Sequence, residues 1–491
     1  MLQKPLSLDS FESRFFYVCT AIVIAMIVFS PLVFGGNRPF PQMVLELTAL
    51  ALFALLLFCT STSTSLPRSL LVLAFAALVL PLLQLIPVPS SLWGALPGRE
   101  LYAEALSKVF PDQMMEGFRQ ISLSPAATEL GFYALLPGLA VMLTIGQLPT
   151  RYVMYCVYAF LFIAFVQASL ALVQSATGVA GEGTYANRNH LAGMLVMAMP
   201  LALGLLSSRI GKSRSHAGRK RASSDIRGMV ARISNVPGMN VVMLLAMTSV
   251  LFALGIIFSR SRTGIAMMML GLFLSALLFG RLMGERKSIQ ISGVILIVVT
   301  TLAVEIGVAP VVSRFGLDSA VDDARWSIFA QAYEGLMTFF PLGSGVGSFP
   351  DMFRRFQPES ISGFVNHAHN GYLEYIFEGG IFALGIIASF VLIYILRWVA
   401  ILRDEREDAF YYVQIGAGVS VLMLGLHELV DFNLHIPANN LYFAFIVAIF
   451  FYMPKMTTVI SSTVERAKSS DSTSAPKLQI SVLESKNNPF S

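Results

Sequence analysis

The sequence predicts an all-α, polytopic membrane protein with about twelve transmembrane helices. Three observations carry that prediction. Hydrophobic residues make up 55% of the 491-residue chain and charged residues only 13%, with a mean hydropathy of +0.70. A soluble domain runs nearer to about a quarter charged, so this surface cannot face water all round. The apolar residues also fall in runs long enough to cross a bilayer, where roughly 20 residues are needed. Finally, the net charge of +5 sits between those runs and mostly on one side, as cytoplasmic loops require. Basic loops therefore account for the charge, and nucleic acid is not expected as a partner. Cys19, Cys59 and Cys156 all lie inside apolar runs, which argues against a disulfide framework or a thiolate metal site.

Reading from breaker to breaker, the spans fall near 15–34, 43–60, 70–87, 129–148, 152–174, 189–208, 238–258, 263–281, 289–308, 372–396, 410–430 and 438–454. The first reads as a span rather than a cleaved signal, because no small-residue cleavage chemistry precedes Phe34-Gly35-Gly36-Asn37. One membrane domain, 1–458, is expected. It carries a basic cytoplasmic loop, 209–237, and a polar tail, 459–491. With the N-terminus inside, 23 of the 34 Lys and Arg fall inside and 11 outside. An even number of spans returns the C-terminus to the same side.

The outside set is Arg38, Arg99, Lys108, Arg119, Arg188, Arg260, Arg262, Arg314, Arg325, Arg354 and Arg355. Ten arginines to one lysine is not a solubility pattern. Arginine offers a planar, bidentate fork for phosphate or carboxylate, so the set points to an anion site on the outer face.

Two outer segments are long, 88–128 and 309–371, and long loops in compact domains are usually functional. In the second, Trp326, Phe329, Tyr333, Leu336 or Met337, and Phe340 recur at helical spacing after Asp322-Asp323, which read as N-caps. This predicts an amphipathic helix on the membrane interface, with Arg325 in its first turn. A cation there opposes the helix dipole unless an anionic ligand lies nearby. Pro341-Leu342-Gly343-Ser344-Gly345-Val346-Gly347-Ser348-Phe349 lacks the Lys-Ser/Thr of a phosphate loop and reads as a tight turn.

Asn366-His367-Ala368-His369-Asn370-Gly371-Tyr372-Leu373-Glu374 leads into the tenth span. In an extended approach His367 and His369 share one side, and Asn370 is set to cap the helix. A tetrahedral metal needs a third protein ligand; no partner motif stands out, with Glu374 and Asp351 left open, and no metal is expected. Structural hydrogen bonding is the plainer role for either histidine alone. Three further polar clusters close span ends: Asn187-Arg188-Asn189-His190, Ser259-Arg260-Ser261-Arg262-Thr263-Gly264, and the link His427 to Asn440, which contains Asp431. Charges at such depths mark function by default.

In this order, NRNHLAG, SRTG, ARW, PLGSGVGSF and HAHNGYLEYIFEGG resemble the O-antigen ligase-like membrane family, with the core resemblance covering about 185–395. That family contains Wzy-type polysaccharide polymerases and lipopolysaccharide O-antigen ligases. The resemblance implies a metal-independent GT-C glycosyltransferase without a cofactor, in a bacterial inner membrane, with both termini cytoplasmic. Its donor is an undecaprenyl-diphosphate-linked glycan, used on the periplasmic side within the 309–371 loop. The acceptor is a glycan or lipid A–core, and membrane lipids and chain-length or export proteins are further partners. Carried over residue by residue, the resemblance implies catalytic roles for His369, Arg325 and Arg262. Arg260, Arg188, Asn187, His190, His367, Asn370, Tyr372 and Asp431 are assigned to substrate. Where the family has Leu four positions after the arginine, Ala266 stands here, and Ala383 replaces the last small residue of the turn containing Gly380.

The segment VDFNLHIPANN leans toward the polymerase branch, with the ligase as runner-up. A transporter would show charges at mid-span or a repeat, and neither is visible; Glu46 and Glu305 lie toward span ends. The orientation is testable by cysteine labelling in intact cells. Ser319→Cys should react with an impermeant reagent and Ser223→Cys should not; labelling at Ser223 would invert the topology.

Overall fold

The computed structural model describes residues 8–57, 64–110, 117–216, 239–283, 293–294, 297, 301 and 319–454. Among these, fifteen helices appear: α1 (Leu8–Phe29), α2 (Pro39–Leu57), α3 (Arg68–Gln84), α4 (Ser90–Gly94), α5 (Glu100–Val109), α6 (Pro125–Gln147), α7 (Thr150–Ala176), α8 (Arg188–His216), α9 (Met239–Phe258), α10 (Arg262–Met283), α11 (Ser319–Phe339), α12 (Phe349–Met352), α13 (Gly371–Leu402), α14 (Ala409–His427) and α15 (Pro437–Phe451). Eight are long and apolar enough to cross a membrane, and three shorter apolar helices join them. They coincide with every predicted span except the ninth, near 289–308, which lies almost wholly outside the described residues. So do Arg314, residues 217–237 of the basic loop, and the tail.

Helix α8 is the axis of the bundle. Every residue from His190 to Ser208 is buried, with α7, α9, α10 and α14 packed around it. Such a helix reads as apolar all round, because no face meets lipid or water. Polar groups inside the bundle are matched to backbone. Ser420 Oγ on α14 donates to the Met197 carbonyl of α8 at 2.6 Å. The carbonyls that end α15 accept from Arg397 (Phe450 O at 3.0 Å, Tyr452 O at 2.8 Å) and from Gln414. Helix ends need such partners when water is excluded.

Helix α13 is too long for one span. Its 32 residues reach about 48 Å at a 1.5 Å rise, against a hydrocarbon core of about 30 Å. The excess is its first three turns, which are set off from the rest by a break at Gly380 (φ 58°, ψ −140°). Beyond the break the surface is exposed and apolar, as at Ile381, Phe382, Leu384 and Val391. Before it, Gly371, Glu374 and the run Phe377 to Gly380 are buried.

What buries them is an outer layer. Ile328, Ala332, Leu336 and Phe339 on α11 pack with Phe349, Phe353, Phe356 and Phe377 in a second apolar core. The predicted helix is therefore present, but two details differ. It starts at Ser319, so Asp322 and Asp323 lie inside it rather than capping it, and Arg325 falls in the second turn. Terminal amides do not serve that arginine. The predicted stripe is also split: Trp326, Tyr333 and Met337 are exposed, whereas Leu336 is buried and Phe340 packs against the second core. The segment 88–128 adds α4, α5 and a short antiparallel pair, β1 (Pro87–Pro89) and β2 (Phe118–Gln120), that the sequence reading does not anticipate.

The glycine turn at 343–347 is built into the helix break. Its glycines take positive φ. Its backbone bonds the groups freed at Gly380: Ser344 N donates to Phe377 O (3.1 Å), Gly345 N to Glu378 O (2.9 Å), and Ile381 N to Pro341 O (2.8 Å). Gln84 of α3 donates to Glu378 O and accepts from Val346 N, each at 2.9 Å. A side chain at Gly380 would drive into the Pro341 carbonyl. We expect Gly380→Ala to destabilise the protein by about 3 kcal/mol, from backbone strain and collision together. Gly385→Ala, where a methyl group meets nothing, should melt like wild type. Equal thermal midpoints in detergent would refute the joint.

Candidate functional site

Four segments meet under the outer layer: the histidine loop before α13, the first turns of α13, the link from α14 to α15, and the start of α8. The Gly371 amide fixes their register by donating to two carbonyls of the link, Glu428 (2.9 Å) and Asp431 (3.0 Å). A side chain at Gly371 would collide with the Glu428 carboxyl. Asn370 caps α13 as predicted, accepting from Leu373 N at 3.0 Å.

Two carboxylates organise five histidines. Glu374 is buried; its Oε1 meets His367 Nδ1 at 2.8 Å, and its Oε2 accepts from Ala368 N at 2.8 Å. His435 Nε2 lies 3.3 Å from the same Oε1. Asp431, also buried, stands between His190 and His427 at 3.8 Å from each Nε2. That is too long for a hydrogen bond but close enough for charge to act. The aromatic centre is Phe432. His367 stacks on it (4.1 Å between centroids, 21°), and His369 (5.1 Å, 71°) and His190 (4.8 Å, 75°) meet its edge.

His369 has a left-handed backbone, φ 53°, and its Nδ1 is buried without a hydrogen-bond partner among the described residues. Burial pushes its imidazole below the ordinary 6.5; Asp431 opposes that shift, while Arg325 and His367 add to it. Burial also takes His435 down to about 4, against the pull of Glu374. Glu428 is held well above the ordinary carboxylate range, by burial first and then by Asp431 and Glu374. Burial thus favours the neutral forms of His369, His435 and Glu428.

The outer arginines divide. Arg99 is fully buried and donates to Pro97 O (2.7 Å), Ile121 O (2.8 Å) and Gly343 O (3.0 Å), tying the first outer segment to the glycine turn. Arg38, Arg119 and Arg354 lie over Phe34, Trp93 and Phe364. Arg355 lies over Tyr102 and Phe356. Arg260 donates to Gly178 O at 2.9 Å. Arg99 is therefore structural, its guanidinium caged by carbonyls. Arg325 acts electrostatically on His369. Arg262 opens α10, whose Gly264 packs on Ala192 of α8, two residues from His190. Among the substrate assignments, Asn187 caps α8 through Asn189 N (2.8 Å), and the Tyr372 hydroxyl donates to Gly425 O (2.7 Å).

Glu374, left open by sequence, proves central, whereas Asp351 accepts from Ser124 at 3.0 Å. His427, Glu428, Phe432 and His435 were not singled out. Their signal was the density of polar residues in a link between two apolar helices. Asn439 extends the network, donating to His190 O and accepting from the Tyr185 hydroxyl.

Fold and site together define a multi-pass membrane protein whose titratable side chains gather at converging helix ends. Residues 247–388 match the family model described as O-antigen ligase, and this part of the chain is similar to the domains of that family. It marks a membrane glycan-processing enzyme. The matched segment contains Arg260, Arg262, Arg325 and the histidine loop; His190 and Asp431 lie outside it. No curated protein matches the sequence.

The division of the arginines has a measurable consequence. Arg99→Met leaves one buried and two part-buried carbonyls without this donor and should cost on the order of 3 kcal/mol. Arg325 makes no hydrogen bond among the described residues, so Arg325→Met should change stability by less than about 1 kcal/mol. Thermal melts that rank the two the other way would reverse the assignment.

Proposed function

We propose that the protein is a periplasmic-face glycosyltransferase that polymerises undecaprenyl-diphosphate-linked repeat units into a surface polysaccharide or exopolysaccharide. The observation that carries this reading is the conjunction at His369. Inside an O-antigen ligase-like domain, a histidine with an unclaimed ring nitrogen faces the charges of Arg325 and Asp431. His369 is the general base that takes the acceptor hydroxyl's proton as that oxygen attacks the anomeric carbon. Arg325 and Arg262 hold the lipid diphosphate and stabilise the charge that grows as the glycosidic bond breaks. Direct displacement inverts the anomeric centre. Arg188, His190, His367 and Asp431 frame the substrate.

The proposed reading keeps the 309–371 loop on the periplasmic side of an inner membrane, with both termini in the cytoplasm. The exposed Trp326, Tyr333 and Met337 suit a helix lying at the headgroup level. The ligase alternative uses the same donor with lipid A–core as acceptor, and the same residues serve it.

Purified protein given lipid-linked repeat units should form polymer; transfer only to lipid A–core would select the ligase. His369→Ala should lose ~10²–10⁴-fold of turnover while still binding donor. Loss of donor binding as well would make His369 a binding residue. Arg325→Lys and Arg262→Lys should not restore normal rates, because a point charge lacks the bidentate fork. Turnover should not require added magnesium or manganese; an activity dependent on either would overturn the arginine mechanism.

A further inference from the structure

We propose that His367, Glu374 and His435 form a binding site for one divalent cation of the zinc class. One donor atom from each lies within 4.8 Å of the other two. Tetrahedral zinc with bonds of about 2.0–2.2 Å sets neighbouring donors about 3.3 Å apart. Glu374 Oε1 is already 3.3 Å from His435 Nε2 and 2.8 Å from His367 Nδ1. Of the three edges among these donors, one therefore exists, the second must open by about half an ångström, and the third, between the two imidazoles, lies within 4.8 Å.

The donors are also held in orientation before any cation enters. The His435 ring stacks on Tyr375 (4.6 Å, 14°), and the His367 ring stacks on Phe432. Glu374 Oε2 is fixed by the Ala368 amide, the kind of outer contact that aims a metal ligand. His435 supplies the independent observation. Both its ring nitrogens are buried without a hydrogen-bond partner among the described residues, a cost that the packing around it does not explain. A cation on Nε2 satisfies one of the two.

Two imidazoles and one carboxylate favour zinc over magnesium or calcium, which prefer oxygen. Three protein donors leave a fourth position for water, and the 22% exposure of the His367 side chain gives a way in. The three ligands come from the histidine loop, the first turn of α13, and the α14–α15 link. A bound cation would clamp together the segments that frame His369 without itself touching the reacting atoms. This inference does not depend on the transferase reading, because metal content reports on it directly.

The test uses full-length protein in detergent, incubated with zinc chloride, desalted and assayed by elemental analysis. Wild type should retain one zinc per chain; His435→Gln and Glu374→Gln should fall to background, and His427→Gln should retain it. Cobalt(II) in place of zinc should give the visible absorption of a tetrahedral centre in wild type and not in His435→Gln. Because the His435 side chain makes no hydrogen bond among the described residues, His435→Gln should elute from gel filtration as wild type does, separating lost ligand from lost fold. Wild type without zinc, equal zinc in wild type and His435→Gln, or loss from His427→Gln as well would each overturn the proposal.

Discussion

A broken helix inside a buried environment leaves amides and carbonyls that water cannot reach, and the break at Gly380 is where this protein meets that constraint. The groups freed there bond to the backbone of residues 341–345. The glycines of that turn are needed because a side chain at Gly343 would collide with the Glu378 carbonyl. This joint does more than satisfy backbone. It fixes the glycine turn, which continues into α12 and follows directly from α11, so the outer layer is anchored to the one helix that both crosses the bundle and rises out of it. Glu378 reinforces the joint from its side chain, accepting from Phe349 N at 2.9 Å, and Arg99 does so from the first outer segment through Gly343 O.

With the outer layer anchored, the histidine loop is held at both ends. Upstream it leaves the aromatic core through Val365; downstream it enters α13 through the Asn370 cap. The bifurcated contact of Gly371 with Glu428 and Asp431 then brings the α14–α15 link against it. Neither segment could position its acids and imidazoles alone. His367 depends on Glu374 from α13 and on Phe432 from the link, and Asp431 depends on His190 from α8. The site is an assembly of helix ends, as membrane-embedded chemistry generally is: irregular backbone persists at depth only where it is enclosed by protein.

The fold was legible because span length and charge asymmetry are local properties of the chain. Hydropathy alone places the described spans to within a few residues, except where α8 runs on to His216 and α13 runs beyond its apolar segment. The site was only partly legible. His369, Asn370 and Asp431 stood out as polar residues in motifs. The pairing of His367 with Glu374 and His435 did not, because 61 residues of chain separate the last two. Ten outer arginines looked alike in sequence. Only burial and partners separate Arg99, caged by carbonyls, from Arg325, whose charge reaches His369. The small strand pair was missed because three-residue strands containing prolines carry no alternation to read.

The division of labour between the two carboxylates follows from distance. Glu374 hydrogen-bonds to His367 at 2.8 Å, and that ring is thereby fixed and its Nδ1 claimed. Asp431 touches no imidazole; at 3.8 Å from His190 and His427 it supplies charge without claiming a nitrogen. At such a separation a unit charge acts on a protonated imidazole with about 4 kcal/mol at an effective dielectric of about 20. That magnitude belongs to His190 and His427; at His369 the charge of Asp431 acts in the same sense, against the burial that opposes an imidazolium there. On the transferase reading this arrangement is what a general base needs: a ring neutral before it accepts the proton, with its nitrogen unoccupied, and an acid nearby to stabilise the charge it then carries. Arg325 works against that imidazolium unless its own charge is taken up by an anion. A diphosphate bound there would neutralise the arginine and make His369 more basic, so that donor binding itself would prepare the base.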